Sequence, residues 1–375
     1  MNTLVTRDRT VVTERPASVP LARLRGFHPG WYGAVMGTAV IGIVAYQDPG
    51  NLSGLRELAQ TVGTAMVGLA AFLALALGVP YVARWLRHPA AAVADLRNPV
   101  AGALYGTFPG GILVLAVGIA TVGPSLGAAD AVTLAVAALA AVGVVLAFAV
   151  SVVFAYMLFV APEIGPQTAN GAWFIPPVVN IVVPLALVPL IPHAGHGDAM
   201  TLLAAGYAFF GMGLLLFLLV ASLLYGRLVF HALPAAPLAP SLWIGLGPVG
   251  VGALVLLRLG QAGAPFWGAA AGTVATLSTI AATTLWGFGL WWLGAAILLL
   301  AGYLRRGRLP FGIGWWAFTF PLGAYTAATL ALARVWGSGL LEGLAVLLFV
   351  ALVAFWLVVT AGTMGALRTG TAWSR

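Results

Sequence analysis

The chain has 375 residues, 62% of them hydrophobic and only 7% charged, with a mean hydropathy of +1.04. That composition excludes soluble domains and points to an all-α integral membrane protein, because the apolar runs are continuous over about twenty residues rather than alternating as in a barrel. Cysteine is absent, which removes disulfides and thiolate metal sites; all 17 basic residues are arginine, and the net charge of +8 sits in tails and connections, where topology rather than nucleic acid explains it.

Residues 1–27 hold five arginines and two prolines without an apolar core, and are expected to form a cytoplasmic tail. The first span is predicted over Gly30–Tyr46, with Gly33, Gly37 and Gly42 as small contact residues and Gly37 and Thr38, like Phe108 and Thr319 below, as candidates to line the pore, and the second over Thr61–Val82. The third, Gly102–Thr121, contains Phe108 and Pro109; the fourth covers Ala131–Phe159. A fifth over Pro177–Ile191 carries Pro184, and a sixth runs Met200–Tyr225. The seventh, Leu242–Leu257, carries Pro248, and residues 268–279 are expected to lie in the interface ahead of an eighth span, Ile280–Tyr303. The ninth is Leu309–Leu332 and the tenth Leu341–Gly362, leaving 365–375 as a second tail and 28–364 as one transmembrane domain.

An even count puts both ends on one side. With the amino terminus inside, fourteen arginines fall on inner segments and only Arg56, Arg258 and Arg334 on outer ones, a strong positive-inside bias. Both tails are therefore expected in the cytoplasm, with the chain in the plasma or inner membrane. Spans three, five, seven and nine each carry one interior proline, at 109, 184, 248 and 321, while the even spans carry none in mid-membrane. A proline inside a helix removes a hydrogen bond and bends it, and in hydrocarbon the freed carbonyl needs protein or a wet cavity beside it. This predicts five hairpins, each pairing a kinked odd helix with a straight even one, the odd helices forming an inner ring around a central pore.

The ninth span, LPFGIGWWAFTFPLGAYTAATLAL, is predicted to line that pore. Trp315, Trp316, Phe318 and Phe320 are candidates to narrow it, and Thr319, Tyr325, Thr326 and Thr329 offer hydroxyls. All nine acidic residues and all five histidines fall in tails, loops or span ends. Proton relays and cation filters normally need such groups in mid-membrane, so a neutral axis with arginines at its inner mouth favours anions. His193 and His196 near Asp198 make only a weak metal pattern; no cofactor motif and no nucleophile–base pair can be assembled.

Five segments carry a resemblance: HPGWYGAVMGTAVIG at 28–42, DLRNPVAGALYGTFP at 95–109, WFIPPV at 173–178, PSLWIGLGPVGV at 240–251 and LPFGIGWWAFTFPL at 309–322. In these the chain resembles the tellurite-resistance/dicarboxylate transporter family, which includes bacterial tellurite-resistance proteins, the yeast malate permease, sulfite efflux pumps and plant guard-cell slow anion channels. The resemblance implies ten spans around an anion pore, often in homotrimers, blocked by a phenylalanine of the ninth helix. On this chain that gate is expected to be Phe320, with Phe318 the alternative. The reading is a passive channel or uniporter for malate-like dicarboxylates or small inorganic anions. Its rivals are a proton-coupled dicarboxylate transporter, a sulfite or tellurite exporter, and, in another class, a membrane enzyme or non-transporting scaffold.

Overall fold

The computed structural model describes residues 23–52, 54–162, 164–307 and 309–373. The expected amino-terminal tail therefore lies outside the described residues up to residue 22, as do Glu163, Arg308 and residues 374–375. Every regular element among the described residues is helical. The long helices are α1 (Gly33–Tyr46), α2 (Arg56–Arg87), α3 (Thr107–Val122), α4 (Ala129–Val160), α5 (Ile175–Leu187), α6 (His196–Phe230), α7 (Leu246–Trp267), α8 (Ala271–Arg305), α9 (Phe320–Trp336) and α10 (Gly339–Thr369). By length and hydropathy seven stretches qualify to cross a membrane, one of which, Ala236–Arg305, holds both α7 and α8. The segments of α1 and α9 fall outside that set.

Consecutive helices pack as five hairpins, α1 with α2 through α9 with α10. The odd helices also touch one another in a closed cycle: α1 against α3, α3 against α5, α5 against α7, α7 against α9, and α9 back against α1. Burial follows this arrangement. Every residue of α1 except Tyr46 is buried, whereas in the 32 residues of α2 only Gly63, Val67, Ala70, Tyr81 and Arg84 are. Leucines, valines and phenylalanines of the even helices face outward, as lipid contact requires.

The prolines do not act as sequence reasoning expected. Pro109, Pro248 and Pro321 each stand in the first turn of an α-helix, where the missing N–H has no intrahelical partner to lose. The break comes just before them: Ala236–Gly245 and Ile313–Phe318 are 3₁₀ segments that run into α7 and α9, and α3 follows the short helix Ala101–Leu104. Of the four, only Pro184 lies inside its helix, where it faces Gly206 of α6; Pro80 of the even helix α2 and Pro265 near the end of α7 are interior as well. The odd spans are thus bent, but at a change of helix type near one end rather than at a mid-helix kink.

Two other boundaries differ. Residues 271–279 do not form a separate interfacial segment but continue as the first turns of α8, the chain reversing at Gly268 with φ +51. Residues 365–369 continue α10, and a 3₁₀ turn, Thr371–Trp373, packs Trp373 on Phe27 and Trp31 at 6.3 and 5.8 Å. No helix breaker interrupts either run.

Close helix approach within the ring depends on glycine. A Cβ on Gly250 of α7 would lie 2.5 Å from the backbone nitrogen of Tyr325 in α9. Backbone cannot yield as a side-chain tip can, so Gly250→Ala should separate α7 from α9 and cost about 1–3 kcal/mol. Thermal unfolding in detergent checks this; an unchanged melting temperature would mean the two helices are not held at that distance.

Candidate functional site

Because the odd helices run parallel, their starts gather at one end of the ring. There they enclose a cavity of about 660 Å³, walled by Gly30 and Gly33 ahead of and within α1, Leu104 and Thr107 at α3, Ala172 and Ile175 at α5, Ser241 and Ile244 before α7, and Trp316 before α9. Along the ring helices the lining ends at Met36, Thr107, Val178, Gly247 and Pro321. Phe320 stands at this closed end. The position a Cβ would take on Gly247 is 3.4 Å from Val178, 3.8 Å from Pro321 and 3.9 Å from the Phe320 ring, so α5, α7 and α9 converge on that side chain.

The walls are mostly apolar, and the polar groups largely bond within the protein. The Thr107 hydroxyl donates to the carbonyls of Pro29 and Leu104, at 2.9 and 2.8 Å, and the Ser241 hydroxyl to that of Leu238 at 2.7 Å. Asn98 Oδ1 accepts from the N–H groups of Val100 and Ala101, which starts the helix leading into α3. His28 Nδ1 accepts from Gly30 N–H at 3.1 Å and so begins the turn into α1. Asp95 is the one charged residue in the cavity wall, and buried Arg84 is bound to it. Arg84 also donates to Tyr105 Oη at 2.9 Å and to the Arg25 carbonyl at 3.1 Å, which locks α2 to the segment entering α3.

Electrostatically the cavity faces five helix beginnings, each carrying roughly half a positive charge from the aligned peptide dipoles. With Asp95 offset by Arg84, the positive ends of parallel helices set the sign of the field at the wall, which favours anions over cations. The helix starts therefore supply a positive field at the mouth where arginines were expected; no arginine is among the described lining residues. The hydroxyls of the ninth span are engaged elsewhere: Tyr325 donates to the Trp286 carbonyl at 2.9 Å, Thr326 to that of Leu322 at 2.7 Å, and Thr329 to that of Tyr325 at 2.8 Å.

Of the predicted pore residues, Trp316, Phe320 and Pro321 line the cavity, and Trp315, Phe318, Thr319, Gly37, Thr38, Phe108 and the other three prolines do not. Phe318 points the other way, stacked 5.2 Å from Phe355 of α10 and edge-on to Trp243 and Trp315. Phe108 stacks on Tyr81 at 4.3 Å, toward α2. Thr38 accepts a hydrogen bond from Trp356 Nε1 at 3.1 Å, toward α10, and Thr319 packs into the space left by Gly37 between α1 and α9. Pro109, Pro184 and Pro248 likewise lie outside the lining. Phe318→Ala should therefore destabilise the fold by about 3–5 kcal/mol while leaving transport per folded molecule unchanged, as unfolding and flux measured on one preparation will show.

Sequence reasoning passed over Met36, Val178, Gly247, His28 and Asp95. A signal was present: each odd helix is preceded or opened by a Gly/Pro/aromatic lead-in, as in HPGWYG, NGAWFIPP and FGIGWWAFTFP, and these lead-ins build the wall. Among the described residues no group of three histidine or carboxylate side chains is placed to share a metal ion.

Residues 26–364, which include the whole ring and most of the cavity wall, match the family described as voltage-dependent anion channel, SLAC1. The chain belongs to that family. It is 32% identical over 349 residues to an uncharacterized transporter of Methanocaldococcus jannaschii, covering 92% of this chain and 95% of the relative. It is 29% identical over 350 residues to a sulfite efflux pump of Arthroderma otae, covering 91% of each. A malic acid transport protein of Schizosaccharomyces pombe is 24% identical over 336 residues, covering 84% of this chain and 73% of that one. The SLAC1 membership and the transporter relatives agree with the resemblance read from the five motifs: this is a multi-pass membrane protein of an anion channel and transporter family.

Proposed function

We propose that the chain is a passive anion channel or uniporter, for malate-like dicarboxylates or small inorganic anions, closed at Phe320. In this reading the ten helices cross the cell membrane as five hairpins, with both termini and the cavity on the cytoplasmic side, and the protein is a transport protein rather than an enzyme. The observation that carries it is the cavity walled by five parallel helix starts and ending on one aromatic ring. Flux into liposomes compared across malate, sulfite, nitrate and chloride tests it; cation flux, or none for any of these anions, would remove it. Assembly as a homotrimer belongs to the same proposal and is read by the mass of the purified particle.

Proton-coupled transport is a second reading, favoured by one observation: two titratable groups, His28 and Asp95, stand in the cavity wall. Coupling predicts that an imposed pH gradient drives malate or sulfite uphill. A passive pathway equilibrates the anion and leaves vesicle pH to follow leak alone.

A further inference from the structure

We infer that Arg258 and Arg334 form a second anion-capture site, at the end of the inner ring opposite the cavity. The inference rests on the channel reading and adds to it a determinant of entry and of valence preference. The parallel ring creates the need. Helix ends opposite the cavity carry carbonyls and roughly half a negative charge each, so an anion approaching from that side meets a field that repels it.

The two arginines are placed to offset that field. From Leu242 to Gly260 all residues are buried except Leu256, which is partly so, and Arg258, which is exposed. In α9, Arg334 is the first exposed residue after a run enclosed from Phe318 onward. Both side chains thus emerge from ring helices rather than from the lipid-facing layer. Gly250 of α7 meets Tyr325 of α9 where the two parallel helices touch, and Arg258 and Arg334 stand eight and nine residues further along, at one level of the ring. At about 1.5 Å per residue they stand about 16 and 21 Å along their helices from Gly247 and Phe320, so they act on entry and not on the gate.

Nothing described neutralises the pair directly. Arg334 donates to the Gln47 carbonyl at the end of α1 and reaches toward that of Asp48 at 3.5 Å. The neighbouring carboxylates have other partners: Asp48 accepts from Arg56 Nε at 3.2 Å and Glu342 from Gly50 N–H at 2.7 Å. Among the described residues neither Arg258 nor Arg334 forms an ion pair. Sequence reasoning had placed Arg258 in a loop beyond the seventh span; α7 instead continues to Trp267, which fixes Arg258 against the ring.

The test uses the full chain in liposomes or a planar bilayer, with chloride and sulfate as probes. A unit charge about 7 Å from the path changes local monovalent anion concentration roughly threefold at low salt, and divalent concentration by the square, roughly ninefold. Arg258→Gln should lower entry from the arginine side by these factors, change entry from the cavity side less, and lose its effect near 1 M salt. Arg258→Lys should keep most of the wild-type rate, and Arg334→Gln provides an independent variant of the same pair. Equal losses for both valences, equal losses in both directions, or an effect that survives high salt would overturn the inference while leaving the channel reading standing. Wild-type protein that passes no anion would overturn both.

Discussion

Replacing Phe320 by alanine is expected to raise anion flux at least about tenfold, equivalent to removing roughly 1.4 kcal/mol from the barrier. The ring is 6% exposed and stands where the cavity ends, against Gly247, which has no side chain to take over the closure. Truncation therefore leaves an opening that neighbours cannot fill without moving backbone. Leucine, smaller than phenylalanine and branched, should give an intermediate rate. The rise should be confined to anions, because the field of the helix starts is unchanged. Flux is read in liposomes or as current after expression in oocytes; an unchanged rate would show that Phe320 does not close the path, and a cation current would remove the class of function as well. The contrast with Phe318→Ala is informative because the two residues stand two apart in one motif but face opposite ways.

Removing the buried cation Arg84 should rank with the most damaging changes to stability. Its guanidinium is 2% exposed and holds Asp95, Tyr105 and the Arg25 carbonyl together between α2 and the cavity wall. Arg84→Met leaves Asp95 without its arginine in a poorly hydrated wall, a loss of about 3–5 kcal/mol for breaking a buried pair by one partner. Arg84→Lys keeps the charge but not the planar fork, and should recover only part of the loss. Asp95 lines the cavity, so the same change should also loosen its wall and alter flux through the molecules that fold. Detergent melting of Arg84→Met, Arg84→Lys and Asp95→Asn reads the first effect; melting as high as wild type would show that the cluster carries no weight in the fold.

Much of the architecture could be read before any coordinates. Continuous apolar runs dictate helices in a membrane, because backbone groups in hydrocarbon must be satisfied within the segment. Alternation of proline-bearing with proline-free spans marked the odd helices as sheltered, and their closed cycle of contacts agrees with that. The mechanism of the bend was misread, because a proline looks the same in a sequence whether it breaks a helix or opens one. What distinguishes the two is the preceding 3₁₀ segment, whose conformation depends on packing.

Side-chain direction was the other gap. Phe318 and Phe320 are separated by a junction of helix types at Thr319, φ −92 and ψ −70, so neither a 3.6-residue nor a 3-residue period predicts which ring faces the axis. The preference for Phe320 over Phe318 came with the motif resemblance, and the cavity lining, which holds Phe320 and not Phe318, adds a geometric reason for it. The sequence by itself determined class, helix placement and the unequal share of arginine. Only the tertiary structure decided that five parallel helix starts face one cavity, because a dipole field is a sum over helices and has no counterpart in any single stretch of residues.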